Sequence, residues 1–238
     1  MAVKSSSIPA PPAPIDASYK PKASVTTLPA TTPIAEILSV LERDGGVILE
    51  DLVSAQQLQS IDSELQPWKE LKRKDPGSGR DAFVTIPQST VLIPGLVGKS
   101  ATVASICEND TLEQLRQTIL KDEFVNKREN FDEQNTINPL LSLSIAMNIG
   151  YGSPRQLLHR DDGFHAVQHV KGEFRLHRAS QFGCLIAGCE VTREKGATMF
   201  VPGSHKWGDD HCAATADDVC FAGMSVRCTA ILIALIRG

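Results

Sequence analysis

Gln156-Leu157-Leu158-His159-Arg160-Asp161-Asp162 places an imidazole and a carboxylate two residues apart, just after what reads as a strand. In an extended backbone alternate side chains share a face, so His159 and Asp161 point one way and Arg160 the other. Mononuclear Fe(II) centres of the two-histidine-one-carboxylate kind take two donors from such a strand end. They keep three positions open for co-substrate and O₂. A strand end carrying a surface ion pair uses the same residues at the same spacing. The tripeptide alone does not separate these readings, so the rest of the chain has to.

The bulk numbers narrow the class. At 238 residues, with 42% hydrophobic and 22% charged residues, the chain fits one sizeable globular domain or two small ones. A formal net charge of -4 leaves no basic footprint for nucleic acid, which is not expected as a partner. The opening Met1-Ala2-Val3-Lys4-Ser5-Ser6-Ser7 has no apolar leader region, and no apolar run approaches the roughly 18 residues of a membrane span. The expectation is a soluble, cytoplasmic protein with no membrane association. Cys107, Cys184, Cys189, Cys212, Cys220 and Cys228 form no CxxC pair and read as free, buried thiols.

Residues 1–30, with Pro9, Pro11, Pro12 and Pro14 close together, read as a disordered leader, and 31–238 as a single domain. Thr31-Thr32-Pro33 opens a helix whose apolar face is Ile34, Ile37, Leu38 and Leu41, and Gly45-Gly46 ends it. Val47-Ile48-Leu49 reads as a short strand, and Ser54 starts a second helix with Leu58, Ile61 and Leu65 on its apolar side. Residues 69–80 and 126–138 read as surface loops and candidate lids. Between them, 83–87 and 91–93 read as extended and 102–120 as helical. Leu96-Val97-Gly98-Lys99-Ser100 lacks the glycine spacing of a phosphate loop.

After an apolar segment at 141–149, short β-type stretches dominate at 181–187, 197–201, 219–221 and 229–236. Helices first and strands afterwards predict an α+β, mainly β arrangement around a closed or sandwiched antiparallel sheet.

His165, His169, His177 and His205 are the histidines that could complete an imidazole set with His159, and spacing does not choose among them. His211 adjoins Asp209-Asp210 and reads as a surface residue. Val201-Pro202-Gly203-Ser204-His205 is a tight turn between strands. Gln156 and Thr198 are ordinary polar residues unless they face a metal.

Leu158-His159-Arg160-Asp161-Asp162, followed by Glu194-Lys195-Gly196-Ala197-Thr198-Met199-Phe200-Val201-Pro202-Gly203-Ser204-His205-Lys206-Trp207-Gly208, resembles the phytanoyl-CoA dioxygenase family. The similarity is greatest to its fungal branch, which oxidises meroterpenoid, alkaloid and related natural-product scaffolds. Asp44-Gly45-Gly46-Val47-Ile48-Leu49-Glu50-Asp51-Leu52-Val53 and Gly95-Leu96-Val97-Gly98-Lys99-Ser100 also look like that family, so the resemblance spans most of residues 35–225. It implies a double-stranded β-helix (jelly roll) with N-terminal helices packed on the major sheet. It implies Fe(2+), with 2-oxoglutarate as co-substrate, and oxidation of an unactivated C–H bond of a small molecule. His159 and Asp161 match the iron ligands, and Gln156 and Thr198 match residues that help hold 2-oxoglutarate. His205 matches the histidine of the turn motif, which is not the distal iron ligand in the family. A homodimer, or a heterodimer with a related dioxygenase, is the expected assembly.

By this resemblance the distal histidine is due roughly at Gly238 and the 2-oxoglutarate arginine about ten residues beyond it, the pattern is lost from about residue 225, and no histidine follows His211. The expectation is therefore a jelly roll with its last strands missing, its apolar 230–236 lying beside an open sheet edge as an aggregation hazard. The alternatives to an active dioxygenase are a catalytically inactive homologue serving as a partner subunit, and a mis-predicted gene fragment.

Overall fold

In the computed structural model the described residues are 18, 22–74, 90–161, 176, 179–209, 211, 214–224 and 230–236. Helix α1 (Ile34–Asp44) buries Ile37, Val40 and Leu41, the three-and-four spacing of a one-sided helix. It stops at Gly45, whose φ of 79° is the left-handed conformation that glycine adopts without Cβ strain. Strand β2 (Gly46–Glu50) begins at once and is buried over its first four residues. Val47 and Leu49 share one apolar cluster with Ile37, Val40 and Leu41 of α1, joined by Leu112, Leu115 and Ile119 further along the chain. Strand β1 (Thr27–Pro29) pairs in parallel with β2, so residues 27–29, inside the stretch read as leader, belong to the main sheet.

Helix α2 (Ala55–Lys74) opens on reciprocal caps: the Ser54 N–H donates to Gln57 Oε1 at 2.8 Å and the Gln57 N–H donates to Ser54 Oγ at 3.1 Å. It runs on past Pro67, so residues 69–74 are helix where a loop was expected. The expected extended stretch 83–87 lies outside the described residues. Strand β3 (Val91–Pro94) follows. The helical region expected over 102–120 is two helices, α3 (Ala101–Cys107) and α4 (Asp110–Leu120). Asn109 divides them, its Oδ1 accepting from the N–H groups of Thr111 and Leu112 at 3.0 and 3.2 Å. Glu64 of α2 accepts from the Ser100 hydroxyl, and from Thr102 N–H at 3.3 Å and Thr102 Oγ1 at 2.9 Å, tying α2 across the start of α3. Those donors hold its carboxyl below the usual range.

The polar run 126–138, expected as a loop, forms most of an antiparallel hairpin of β4 (Asp122–Lys127) and β5 (Asp132–Ile137). Its strands are mostly exposed and carry charged and amide side chains, so no apolar alternation marks them. Strand β6 (Ile145–Asn148) pairs with β3. The remaining strands are β7 (Ala179–Ile186), β8 (Thr198–Phe200), β9 (Cys220–Ala222) and β10 (Ala230–Ile236).

The expected jelly roll does not form. Among the described residues there is one four-stranded sheet, in the order β1-β2-β10-β7, and three two-stranded sheets, β3-β6, β4-β5 and β8-β9. The result is a small α+β fold without a closed barrel. Closure needs every strand paired on both sides, but β8 and β9 are three residues each and pair only with one another. β1 also runs parallel to its neighbour, against the antiparallel pattern of a roll. The tail at 230–236 corrects a second expectation. It is an inner strand, antiparallel to β7 along its length and to β2 over its first four residues, so those backbone groups are paired on both sides.

No described helix is long and apolar enough to cross a membrane. Cys107, Cys184, Cys189 and Cys220 are free, though only Cys220 is buried.

The joint between α1 and β2 gives a direct test. A Cβ on Gly45 would stand 2.4 Å from Nδ1 of the buried His205, at a backbone conformation that disfavours any side chain. Gly45→Ala is expected to cost about 2–4 kcal/mol, from left-handed strain plus overpacking. Gly45→Asn, which tolerates the conformation but not the contact, should also destabilise. Urea denaturation midpoints for both variants check this.

Candidate metal centre

His159 and Asp161 meet, although residues 153–160 form no strand of the kind expected there. His159 Nε2 lies 3.2 Å from Asp161 Oδ1, and His159 Nδ1 lies 2.7 Å from the carbonyl oxygen of Leu157. A carbonyl only accepts, so Nδ1 carries a proton, and in the neutral ring this leaves the lone pair on Nε2, the atom facing Asp161. Metal-ligating imidazoles are commonly oriented by such an outer hydrogen bond. Two cis donors each about 2.1 Å from an octahedral metal stand about 3.0 Å apart. The observed 3.2 Å is close to that spacing, so both atoms are within reach of one metal ion. With the ring protonated the same pair is an ion pair, and Asp161, by accepting its hydrogen bond, raises the His159 pKa against the opposing effect of burial. Side-chain exposures of 36% and 65% leave both donors open to a small molecule from solvent.

Gln156 is half-buried, three residues before His159 in the same irregular segment. Thr198 is half-buried on β8, opposite Ala222 of β9. Among the described residues no three His, Cys, Asp or Glu side chains gather into a metal-sized group. His165, His169 and His177 lie outside the described residues.

The other two histidines are engaged elsewhere. His205 is buried, with Nε2 3.1 Å from the Glu42 carbonyl oxygen in the last turn of α1. Burial pushes its pKa down to about 4, against the raising effect of that carbonyl, so the ring is neutral. Its turn is held at a second point, where the Gly203 N–H, at φ 80°, donates to the Asp44 carbonyl at 2.8 Å. The Asp44 carboxylate is bonded by Arg43 Nε at 2.7 Å and by the Thr26 hydroxyl at 3.0 Å, and Arg43 foremost lowers its pKa. His211 is exposed and stacks on Trp207, with ring centroids 3.8 Å apart and planes 6° from parallel.

Two residues at the site were not singled out from the sequence. Arg160, read as the spacer between two ligands, donates through Nη2 to the carbonyl oxygens of Trp207 at 2.8 Å and Ser204 at 3.3 Å. Gly45, read as a helix stop, also gives His205 its room. The Gly45-Gly46 doublet was the available signal, because a stop needs only one glycine. A Cβ on Gly46 would meet the Phe200 ring at 2.7 Å.

Comparison with known proteins adds a lineage to this geometry. A profile of the family described as Phytanoyl-CoA dioxygenase (PhyH) matches residues 41–227. The chain is 46% identical over 213 residues to Dioxygenase swnH1 of Arthroderma benhamiae, covering 90% of this chain and 68% of that protein. It is 46% identical over 214 residues to Dioxygenase swnH1 of Metarhizium robertsii, with the same 90% and 68% coverage. Dioxygenase swnH2 of Arthroderma benhamiae is 44% identical over 212 residues, covering 89% of this chain and 66% of that protein.

The buried imidazole makes stability depend on pH. Below its ordinary pKa of 6.5 the unfolded chain protonates His205, while the folded chain does so only near pH 4. Stability is therefore full above that ordinary pKa and falls as pH drops through the window, by about 3 kcal/mol in all. The difference between wild type and His205→Gln in urea unfolding, followed against pH, should show this slope. A flat difference curve would remove His205 as its source.

Proposed function

Because the chain belongs to the phytanoyl-CoA dioxygenase family, we propose that His159 and Asp161 hold its Fe(II) and that Gln156 and Thr198 help hold 2-oxoglutarate. The activity is that of an Fe(II)/2-oxoglutarate-dependent dioxygenase acting on a small molecule in fungal secondary metabolism. The family match supports this, as do fungal relatives that are themselves named dioxygenases.

One observation carries the assignment: Nε2 of His159 and Oδ1 of Asp161 converge at 3.2 Å while the Leu157 carbonyl holds Nδ1. When bound, iron supplies a Lewis-acidic centre at which O₂ activation is coupled to decarboxylation of 2-oxoglutarate. The chain's own work is to present donors of the right kind. His159 offers an oriented neutral nitrogen, and Asp161 offers a negative oxygen that offsets part of the metal's charge. Gln156 contributes amide N–H donors, and Thr198 a hydroxyl, suited to a carboxylate-bearing co-substrate. The exposure of His159 and Asp161 gives that co-substrate and the organic substrate a way in.

The test is anaerobic Fe(II) titration followed by 2-oxoglutarate-dependent succinate release in air. His159→Ala and Asp161→Ala should each weaken Fe(II) binding and lower turnover by more than about 100-fold, since each removes a direct ligand. Wild-type binding and turnover in both variants would defeat the assignment. Gln156→Ala and Thr198→Ala should leave Fe(II) affinity unchanged and raise the 2-oxoglutarate concentration needed for half-maximal turnover.

A further inference from the structure

Arg160 sits between the two donors yet faces away from them. Its Nη2 reaches across the fold to the main-chain carbonyls of Trp207 at 2.8 Å and Ser204 at 3.3 Å, which are 47 and 44 residues away in sequence. Its Nη1, shut off from solvent, has the Asp209 carboxylate 3.8 Å away. The accepting turn is itself anchored, through Gly203 to the Asp44 carbonyl and through His205 to the Glu42 carbonyl. Trp207 is itself stacked on His211. An unbroken line of contacts therefore leads from the end of α1, through the turn at 203–207, to the peptide between His159 and Asp161.

Residues 153–160 belong to no helix or strand. His159, on irregular backbone, has no hydrogen-bond ladder of its own to set its geometry, and precision has to come from outside contacts. We propose that Arg160 is a positioning residue for the metal centre: its guanidinium, seated on the Ser204 and Trp207 carbonyls, fixes the backbone so that His159 and Asp161 face one metal ion. This rests on the reading of His159 and Asp161 as the Fe(II) donors. A planar fork with several N–H groups can bind two carbonyls at a fixed angle, which an ammonium point charge cannot. The two acceptors are the first residue and the C-cap of the Ser204–Lys206 3-10 turn, whose carbonyl groups suit a cation.

The experiment measures Fe(II) affinity of the full chain by anaerobic calorimetry, with Ni(II) as a redox-silent second probe. Thermal melting of the metal-free proteins is followed in parallel. Arg160→Ala should weaken both metals about 10- to 100-fold, the usual scale for losing an orienting contact, while the melting curve stays cooperative. Arg160→Lys should recover less than half of the lost affinity, on a logarithmic scale. A folded Arg160→Ala protein with wild-type affinity overturns the proposal. So does an Arg160→Lys protein with wild-type affinity, and that variant alone decides the matter should the alanine variant not fold. His159→Ala separates the two readings. If it leaves metal affinity unchanged, the donor assignment fails and this proposal with it. If it abolishes binding while Arg160→Ala does not weaken it, the positioning role alone fails.

Discussion

An α-helix finishes with carbonyl groups that have no partner inside it, and the placement of the turn at 203–207 depends on how α1 meets that requirement. The Leu41 carbonyl takes the Gly45 N–H, the Glu42 carbonyl takes His205 Nε2, and the Asp44 carbonyl takes the Gly203 N–H. Two of these three donors come from a turn far along the chain, so finishing the helix and placing the turn are one event. Each such bond in a buried setting is worth more by its absence than its presence, since an unmet carbonyl costs about 1–3 kcal/mol. The neutral imidazole suits the place: it can donate to Glu42 without carrying a charge into an enclosed space.

Two adjacent glycines make this approach possible. A Cβ at Gly45 would run into His205 and one at Gly46 into Phe200, so the segment from β8 to the turn lies directly against the joint of α1 and β2. Thr198 heads that segment, and Arg160 reaches back to the turn behind it. The turn after β8 thus lies against the end of α1, and β8 itself is only three residues long.

What could be read from the sequence was what local physics determines. The apolar spacing of α1, the Ser54 start of α2 and the glycine stop after Asp44 all act within a few residues. His159 and Asp161 are also close in sequence, and the pair does meet, though not on the strand that was expected. The hairpin of β4 and β5 escaped notice because exposed strands need no apolar alternation. The jelly roll, expected from family resemblance, fails on strand pairing, which no short window of residues records. Gly45 and Arg160 were hidden for a related reason. The partner of the first lies 160 residues off, and the partners of the second are main-chain oxygens, which leave no mark on side-chain composition.

The place of β10 between β2 and β7 bears on how the protein is made. On a ribosome, residues 46–50 emerge long before 230–236, by roughly ten to forty seconds at ordinary rates of synthesis. Throughout that interval β2, buried over its first four residues, has an open edge where β10 will sit. Neither β1 nor the helices around it can supply that row of hydrogen bonds. The main sheet is therefore completed only once residues 230–236 have emerged, through contacts of high sequence separation that form slowly. During that wait the nascent chain offers a sticky apolar edge to chaperones and to its neighbours.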